Sequence, residues 1–324
     1  MEKIRIGIVG YGNIGKGVEK AVLTAPDMEL KAVFTKRDPV SIQLSYSSAP
    51  VLPFAESKTK TDEIDVMILC GGSKTDLIGQ GPELAALFNT VDSFDIHSKI
   101  PEYLKSVDAA AQKTTAIISC GWDPGLFSMM RAISESVLPD GNHYTFWGHG
   151  VSQGHSVAVR SVEGVKTGVQ YSVPLADAVE SVRRGERPVL TPAQKQLREC
   201  FVVAEPGADK SLIEEKIKTM PDYFADYNTI VHFITQDEFD AGHTGMPHGG
   251  LVLHSGATGS NECSIEFSLK MESNPEFTGS IMTAYARAAY RMAKAGLYGA
   301  KTVLDVPLCF LSEKTREILI KELL

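Results

Sequence analysis

The strongest constraint on the fold is a glycine-rich turn near the start of the chain. A short apolar run over residues 4–9 leads directly into the sequence Gly-Tyr-Gly-Asn-Ile-Gly over residues 10–15, and a segment with helical spacing follows. A buried strand, a glycine turn and a helix, in that order, are typical of a dinucleotide site. Gly10 permits the tight turn, Gly12 lets backbone N–H groups approach a pyrophosphate, and Gly15 lets the helix pack on the sheet. The N-terminal end of the helix then faces the phosphates with free N–H groups and a positive dipole end.

The end of the second strand indicates which dinucleotide binds. The strand over residues 30–34 ends about twenty residues after Gly15, where sites for NAD place a carboxylate on the ribose 2′-hydroxyl. This chain has Thr35, Lys36 and Arg37 there instead. A hydroxyl and two cations suit a 2′-phosphate, so we predict NADP as the cofactor. The alternative is that the two cations only make a surface loop more soluble.

The pattern of elements predicts two domains. Strands over residues 64–70 and 115–120, and a strand with its following loop over residues 90–95, alternate with helical segments, which argues for a parallel sheet with helices on both faces. After about residue 122, short β-type segments typical of a mixed or antiparallel sheet predominate. We therefore predict an α/β protein: a doubly wound, Rossmann-type nucleotide domain over residues 1–121, completed by about 275–324, and a mixed α+β substrate and dimerisation domain over residues 122–274.

Composition excludes several classes of protein. The formal charge of −8 disfavours a nucleic-acid or anionic-membrane partner. No apolar run approaches the ~20 residues of a membrane span. The five cysteines are scattered and form no C-x-x-C pair, so we predict neither disulfides nor a metal site. The first strand begins almost directly after Met1, from which we expect no signal peptide and a cytoplasmic protein.

Two acids follow strands of the nucleotide domain. Asp95 and Asp123 each come just after a strand, so both are expected at the carboxyl edge of the sheet, near the nicotinamide. Two carboxylates at that edge suit a substrate ammonium group. The alternative for each acid alone is an Asx-turn or a helix cap.

Three further features lie in the second domain. Trp147 precedes a polar, glycine-containing loop over residues 152–156 and is a candidate pocket wall, although a lone Trp is more often core. His248 lies in the run Gly-Met-Pro-His-Gly-Gly over residues 245–250, which we interpret as a loop, so His248 is expected to donate to an anion rather than to pack in the core. Arg198 is a candidate clamp for a carboxylate, or otherwise an ordinary surface residue. Reasoning from these residues alone leads to an NADP-dependent oxidoreductase that acts on a polar small molecule.

At these same positions the chain resembles the diaminopimelate dehydrogenase family. The resemblance runs through nearly the whole chain. It depends on the glycine motif over residues 10–15 and on the segments over residues 90–95, 121–125, 145–148, 152–156, 220–223 and 243–250. The last, His-Thr-Gly-Met-Pro-His-Gly-Gly, is long and distinctive.

The resemblance implies a reaction and a set of partners. The reaction is the reversible NADP-dependent oxidative deamination of meso-2,6-diaminopimelate at its D-centre, giving L-2-amino-6-oxopimelate and ammonia in lysine biosynthesis. The implied partners are this small-molecule substrate and further copies of the chain, in a homo-oligomer that is at least a dimer.

The resemblance also implies which residues bind the ligands. Asp95 and Asp123 are the implied catalytic pair, which holds the reacting amino group. The other implied substrate contacts are Trp147, Gln153 and Gly154 near that group, and Ser172, Arg198, His248 and Asn274 at the distal L-amino-acid end. The implied cofactor contacts are Gly10, Gly12, Asn13, Ile14, Gly15, Thr35, Lys36, Arg37, Cys70, Gly71, Gly72, Ser73, Ser93, Phe94, Asp95, Trp122, Asp123, Pro124, Gly125 and Leu126.

The chain departs mildly from the family pattern. Ser172 stands where relatives carry Thr, and Gly71 replaces a larger residue. Lys36 stands where Arg is more usual, which keeps the charge but loses the bidentate fork.

Two alternative functions remain open at this point. One is an oxidoreductase of another substrate class, such as a sugar or inositol dehydrogenase with the same two-domain plan. Such enzymes usually carry an adjacent Lys-Pro pair for proton transfer, whereas Lys99 and Pro101 are not adjacent here. The other is a non-catalytic NADP sensor, which would need neither the acid pair nor Arg198 together with His248.

Overall fold

The computed structural model describes residues 3–324. Met1 and Glu2, which bear on the expected absence of a leader, lie outside the described residues. The strands are β1 (Ile4–Val9), β2 (Met28–Thr35), β3 (Val51–Pro53), β4 (Val66–Leu69), β5 (Asn89–Asp92), β6 (Thr115–Ile117), β7 (Gly141–Trp147), β8 (Gly150–Val151), β9 (Val165–Pro174), β10 (Gln196–Ala204), β11 (Asn228–Phe233), β12 (His248–Thr258), β13 (Asn261–Met271) and β14 (Gly299–Lys301).

Most α-helices connect these strands, and the last two follow β14 at the C-terminal end. They are α1 (Asn13–Thr24), α2 (Ile78–Ala85), α3 (Ile100–Ala110), α4 (Leu126–Val137), α5 (Gln153–Arg160), α6 (Ala176–Arg183), α7 (Pro192–Lys195), α8 (Lys210–Lys218), α9 (Gln236–Gly242), α10 (Asn274–Lys294), α11 (Leu308–Leu311) and α12 (Arg316–Leu323). A π-helical turn over Ser73–Leu77 precedes α2. Among residues 3–324, no helix is both long and apolar enough to cross a membrane.

Contacts divide the chain into two compact units. The first contains residues 1–129 and 275–324, and the second contains residues 130–274. The sequence places the first boundary at residues 121 and 122, eight residues earlier, at the end of the predicted strand. In the structure the chain continues from that turn into α4, and Met129 on this helix still packs against the core of the first unit. The functional domain limits stay a prediction.

The first unit contains a seven-stranded parallel sheet in the order β14-β6-β5-β4-β1-β2-β3. Alternate strand residues form two separate cores, because successive side chains of a strand point to opposite faces. Ile6 and Ile68 pack with α1 and α10 on one face, whereas Met67 and Leu69 pack with α2 and α3 on the other. The predicted α/β class with a doubly wound parallel sheet is confirmed.

Helices α1 and α10 approach each other closely on one face of this sheet. A Cβ atom on Gly279 would lie 2.4 Å from the carbonyl carbon of Gly17, so only glycine permits this packing. From the amino-acid sequence alone, residues 282–295 are expected to form this helix. The structure begins it at Asn274, because its first two turns pack against α1 through this glycine contact.

The second unit contains two sheets. One has the order β11-β10-β9-β8, with only the β10–β11 pair parallel, and the other is the antiparallel sheet β13-β12-β7. The predicted mixed α+β architecture is confirmed. Two local predictions are wrong. Residues 152–156 are mostly the first turn of α5 rather than a loop, and His248 begins β12 rather than lying in a loop.

Candidate active site

The glycine turn has the geometry of a phosphate site. Gly10 has a φ of +91°, a conformation that side chains other than glycine rarely adopt. A Cβ on Gly15 would lie 2.4 Å from the carbonyl oxygen of Gly10, so Gly15 permits the close contact of helix and strand. A Cβ on Gly12 would meet no atom within 4 Å, and no side chain caps α1 at this position. The N-terminal end of α1 therefore faces open space, which suits a phosphate.

A cavity of about 180 Å³ lies between this turn and the end of β2. The residues at its wall that the argument uses are Gly10, Thr35, Lys36, Arg37, Asp76 and Gln80. The backbone N–H of Arg37 donates to the hydroxyl of Thr35 at 3.1 Å, and its guanidinium donates to the carbonyl of Tyr11 at 2.6 Å. Two cations at one cavity fit a 2′-phosphorylated dinucleotide.

Three polar residues were missed in the sequence: Asp76 and Gln80 line this cavity, and Glu19 contacts Tyr11 at its wall. Asp76 forms an ion pair with Lys36 at 2.7 Å. The side-chain oxygen of Gln80 is buried and has no hydrogen-bond partner among the described residues. Glu19 is fully buried and accepts hydrogen bonds from the hydroxyls of Tyr11 at 2.5 Å and Ser47 at 2.6 Å. No local pattern distinguishes these polar residues from ordinary surface residues on a helix or turn.

The first predicted acid lies at the exposed edge of the parallel sheet. Asp95 follows β5, and one of its carboxylate oxygens accepts a hydrogen bond from the Ser73 hydroxyl at 2.6 Å. The backbone N–H of Asp95 donates to the same hydroxyl at 3.2 Å. The structure therefore brings together one predicted substrate contact and one predicted cofactor contact, at the carboxyl ends of β4 and β5.

The second predicted acid lies in a tight turn after β6. The carbonyl of Pro124 accepts a hydrogen bond from the Gly121 N–H at 2.9 Å, and Asp123 is half-buried within this turn. Gly125 has a φ of +132°, and a Cβ there would lie 1.8 Å from the Gly121 oxygen. Trp122 packs edge-on against Phe127, with ring centroids 5.3 Å apart. Packing and glycine geometry thus fix the turn that carries Asp123.

A buried carboxylate joins the two acid-bearing loops. Asp92, the last residue of β5, accepts hydrogen bonds from the N–H of Phe94 at 2.9 Å, the N–H of Ser119 at 3.0 Å and the hydroxyl of Tyr103 at 2.7 Å. Burial raises the pKa of Asp92 above its ordinary value. Ser119, with a φ of +58°, leaves the extended conformation, so β6 ends at Ile117 rather than at the predicted residue 120. Asp92 itself was missed in the sequence.

The second unit contains a buried cation. Arg198 on β10 faces Ser172 on β9 in the antiparallel register, and its guanidinium donates to the Ser172 hydroxyl. The guanidinium also lies 4.0 Å from the ring centroid of Tyr227. Arg198 is only 6% exposed, its Nε atom has no hydrogen-bond partner among the described residues, and no carboxylate among residues 3–324 pairs with it. Burial lowers the pKa of Arg198. A cation in this state suits an anionic ligand, because an unpaired buried charge is costly.

His248 lies beside this cation. Ser172 is paired with Gly150 on one side and with Arg198 on the other, and a Cβ on Gly150 would lie 2.4 Å from the Cα atom of His248. The Nδ1 atom of His248 lies 2.8 Å from the backbone nitrogen of Gly249 and 3.0 Å from its carbonyl oxygen. The expectation that His248 is not a core residue is wrong, since it is 7% exposed. Burial is the largest cause of its lowered pKa, to which the charge of Arg198 also contributes.

Two of the remaining predicted substrate contacts, Gln153 and Asn274, form hydrogen bonds with Met246. The Gln153 amide donates to the sulfur of Met246 at 3.6 Å, and the Asn274 N–H donates to the Met246 carbonyl at 2.9 Å. A Cβ on Gly154 would meet nothing within 4 Å, which leaves open space there. Trp147 ends β7 and is 38% exposed, so its ring is not core packing.

The run Gly-Val-Ser-Gln-Gly over residues 150–154 has the spacing of a serine-hydrolase elbow. The Ser152 hydroxyl does contact Nδ1 of His155 at 2.8 Å. However, the backbone of Ser152 is an unstrained helix N-cap, with a φ of −84°, and His155 packs edge-on against Tyr223 and Phe224. No carboxylate among the described residues orients His155, so the pair lacks the third member of a triad.

His155 makes the stability of the second unit depend on pH. Burial, and secondarily the charge of Arg198, lower its pKa to about 4. The folded state therefore favours the neutral ring. The contribution of His155 to the free energy of unfolding is lost as pH falls from about 6.5 towards 4. We expect His155→Gln to reduce the loss of unfolding free energy between pH 7 and pH 4.5 by about 2 kcal/mol, measured in urea titrations. An unchanged pH slope in the variant would contradict this assignment.

Within residues 3–324 there is no group of three His, Cys, Asp or Glu side chains with the arrangement of a metal site. The groups described above that can carry chemistry are the carboxylates of the first unit and the Arg198 guanidinium and His248 imidazole of the second.

Comparison with known proteins gives full-length similarities. Residues 121–273 match the family model described as the diaminopimelic acid dehydrogenase C-terminal domain. The chain is 59% identical over 327 residues to the meso-diaminopimelate D-dehydrogenase of Lysinibacillus sphaericus, and the match covers 100% of both chains.

Two solved structures are similar over almost the same length. The DAP dehydrogenase of C. glutamicum in complex with DAP is 44% identical, with a TM-score of 0.91 and coverage of 100% of both chains. An engineered D-amino acid dehydrogenase bound to NADP+ is 43% identical, with a TM-score of 0.87 and coverage of 99% of this chain and 100% of the other.

Proposed function

The chain belongs to the meso-diaminopimelate D-dehydrogenase family, and from this premise we propose the reaction that it catalyses. It carries out the reversible NADP-dependent oxidative deamination of meso-2,6-diaminopimelate at the D-centre, giving L-2-amino-6-oxopimelate and ammonia in lysine biosynthesis. The observation that carries the proposal is the 59% identity to a relative of that name over the whole of both chains. This supports neither a dehydrogenase of another substrate class nor a non-catalytic sensor.

The described residues fit the cofactor. The uncapped end of α1 at Gly12 suits the pyrophosphate, and the cavity with Lys36 and Arg37 suits the 2′-phosphate. The engineered relative bound to NADP+ supports the same choice. We propose the remaining predicted cofactor contacts, from Cys70 to Ser73 and around Ser93 and Trp122, on the same grounds.

We propose that the substrate is recognised by its charges. The buried guanidinium of Arg198, with the hydroxyl of Ser172 and the imidazole of His248, binds the distal carboxylate, and Asn274 supports that end. Asp95 and Asp123 hold the reacting amino group, with Trp147, Gln153 and Gly154 around it. Anchoring of the L-centre leaves the D-centre to react, and such orientation supplies several kcal/mol of barrier reduction.

The reaction then proceeds through the carboxylate pair. When bound, NADP+ supplies the hydride acceptor for the D-configured α-carbon. Asp95 and Asp123 attract the substrate ammonium group and accept its proton, because a neutral amine releases hydride more readily than a cation. The substrate imine that results is attacked by water, and the same carboxylates accept the proton of this water. One of these protons returns to the amino nitrogen of the resulting carbinolamine, ammonia leaves, and loss of the hydroxyl proton gives the 6-oxo product.

The proposal extends to assembly and location. We propose a homo-oligomer, at least a dimer built through the second domain, in the cytoplasm. The −8 charge gives no support for a nucleic-acid partner. Sedimentation of the purified protein measures its subunit number directly.

Absorbance at the reduced-nicotinamide band tests the function. The purified protein is mixed with NADP+ or NAD+ and, separately, with the meso, LL and DD isomers of diaminopimelate. We expect rapid reduction of NADP+ with the meso isomer only, because only this isomer joins an L-end for the clamp to a D-centre for reaction. Tight NADP+ binding without turnover of any isomer would support the assignment of the nucleotide-binding domain but overturn the substrate assignment.

A further inference from the structure

A carboxylate lies next to the cations that are proposed to bind the 2′-phosphate. The Nζ atom of Lys36 is 2.7 Å from Oδ1 of Asp76. The other oxygen, Oδ2, accepts the Gly72 N–H at 3.2 Å and the Thr75 hydroxyl at 2.9 Å. Asp76 is thus held by its own turn as well as by Lys36, so its charge has a fixed position.

The carboxylate and the lysine line the same cavity as Thr35 and Arg37. The Lys36 ammonium also lies 5.7 Å from the ring centroid of Phe54. The ammonium group of Lys36, chiefly, holds the pKa of Asp76 below its ordinary value, so the carboxylate is ionised at neutral pH. A fixed negative charge therefore stands at the place where a phosphate with about two negative charges is proposed to bind.

We propose that Asp76 is a specificity-determining residue that limits the preference for NADP over NAD. The inference rests on the proposed cofactor site. Without nucleotide, the Asp76 carboxylate forms the ion pair with the Lys36 ammonium that a phosphate oxygen would otherwise form. A 2′-phosphate must share Lys36 with Asp76 and is repelled by it, whereas a 2′-hydroxyl meets no repulsion and suits a carboxylate acceptor.

Asp76 could instead support NADP binding, and removal of its carboxylate would then have the opposite effect on the affinity for NADP. If the carboxylate served only to aim Lys36 at the phosphate, its removal would weaken NADP binding and leave NAD binding unchanged. If it limits the preference, its removal strengthens NADP binding and weakens or preserves NAD binding. The ratio of the two dissociation constants therefore separates the two roles, whatever the effect on overall stability.

The test is nucleotide binding to Asp76→Asn, measured by titration calorimetry with NADP+ and NAD+ and no substrate. Asn keeps the size of the side chain and removes its charge, and Asp76→Ala is a second variant that also removes the Lys36 contact. We expect the ratio of the NAD+ to the NADP+ dissociation constant to rise about five- to twentyfold in both, and the gain to shrink with added salt.

Two further variants serve as references. Glu83→Gln removes the charge of another lysine-paired acid, since Glu83 pairs with Lys58, and should leave the ratio within about twofold. Lys36→Met should lower the ratio at least fivefold. A ratio that is unchanged or lower in Asp76→Asn and Asp76→Ala would overturn the proposal. Because binding is measured without diaminopimelate, this result is independent of whether the protein turns that substrate over. Failure of the unaltered protein to bind either nucleotide would overturn the cofactor site itself.

Discussion

Replacement of Arg198 by Met is expected to lower kcat/KM for meso-diaminopimelate about a thousandfold, while NADP+ affinity changes less than twofold. The guanidinium is buried, faces Ser172 and has no carboxylate partner within residues 3–324. A charge-assisted hydrogen-bonded pair with the substrate carboxylate replaces that missing partner. Removal of one member of such a desolvated pair costs about 2–5 kcal/mol, which is roughly thirty- to several-thousandfold in affinity. Initial rates at varied substrate, with nucleotide titrations alongside, measure both quantities.

The same substitution has a second signature in stability. A buried cation without a carboxylate partner is costly, so an apolar side chain of similar length should be tolerated in its place. We therefore expect the thermal midpoint of Arg198→Met to equal or exceed that of the unaltered protein, although turnover is lost. An arginine that served only structure would show the reverse, with a lowered midpoint.

Two variants serve as references for this prediction. Arg198→Lys keeps the charge but loses the planar fork and should fall between the two proteins in kcat/KM. Arg160→Met removes an exposed arginine of the same unit, whose guanidinium bonds the Gly168 carbonyl, and should leave kcat/KM nearly unchanged. Undiminished turnover of meso-diaminopimelate by Arg198→Met would refute the role as clamp.

The parallel sheet was predictable because its signals are local. A strand, a glycine turn and a helix are contiguous in residues 4–24, and the neighbouring strands β2 and β4 contain short apolar runs. The limits were less exact where tertiary contacts decide them. Strand β6 ends three residues before its predicted end because the N–H of Ser119 donates to Asp92. Helix α10 begins eight residues before its predicted start because Gly279 packs on α1. Neither contact is visible in a window of the sequence.

The structure of the second unit was harder to predict from the sequence because polar residues and glycines of the candidate site lie inside strands. Gly249 and Gly250 favour a loop by composition, yet they lie in β12, where pairing with two strands overrides their low β-propensity. A usable signal existed for Arg198. The alternation that places Cys200 and Val202 on the buried face of β10 extends back to Arg198. A charged residue on a buried face is a strong indication of a ligand site.

The residues that hold the site in place had no comparable signal. Asp92, Asp76 and Glu19 form hydrogen bonds with partners 11, 40 and 28 residues away, respectively, so only the folded chain brings these groups together. The sequence indicates which groups can carry chemistry, since these follow strands or sit in turns. The roles of the predicted contacts stay predictions until the variants are measured.

The acid pair gives the other large expected effect. Asp123→Asn should lower kcat about a hundred- to a thousandfold, with NADP+ affinity nearly unchanged, because general acid–base groups contribute about 10²–10⁴ in rate. Asn keeps the shape and the hydrogen-bonding capacity of the turn over residues 121–125 but accepts no proton. Asp95→Asn should act in the same direction, because Asp95 follows β5, the strand paired with β6. Stopped-flow absorbance during a single turnover separates the hydride step from product release.

Combination of the two substitutions tests whether the carboxylates work as a unit. If one carboxylate accepts the ammonium proton while the other holds the amine, each single variant already disables the step. The double variant should then be little slower than the worse single variant, since groups that act together are strongly non-additive. Asp62→Asn, an exposed acid of the same unit, should leave kcat unchanged. Turnover by Asp123→Asn equal to that of the unaltered protein would show that this carboxylate takes no part in the proton transfer. Multiplicative losses in the double variant would instead assign the two acids to separate steps, one to the amine and one to the attacking water.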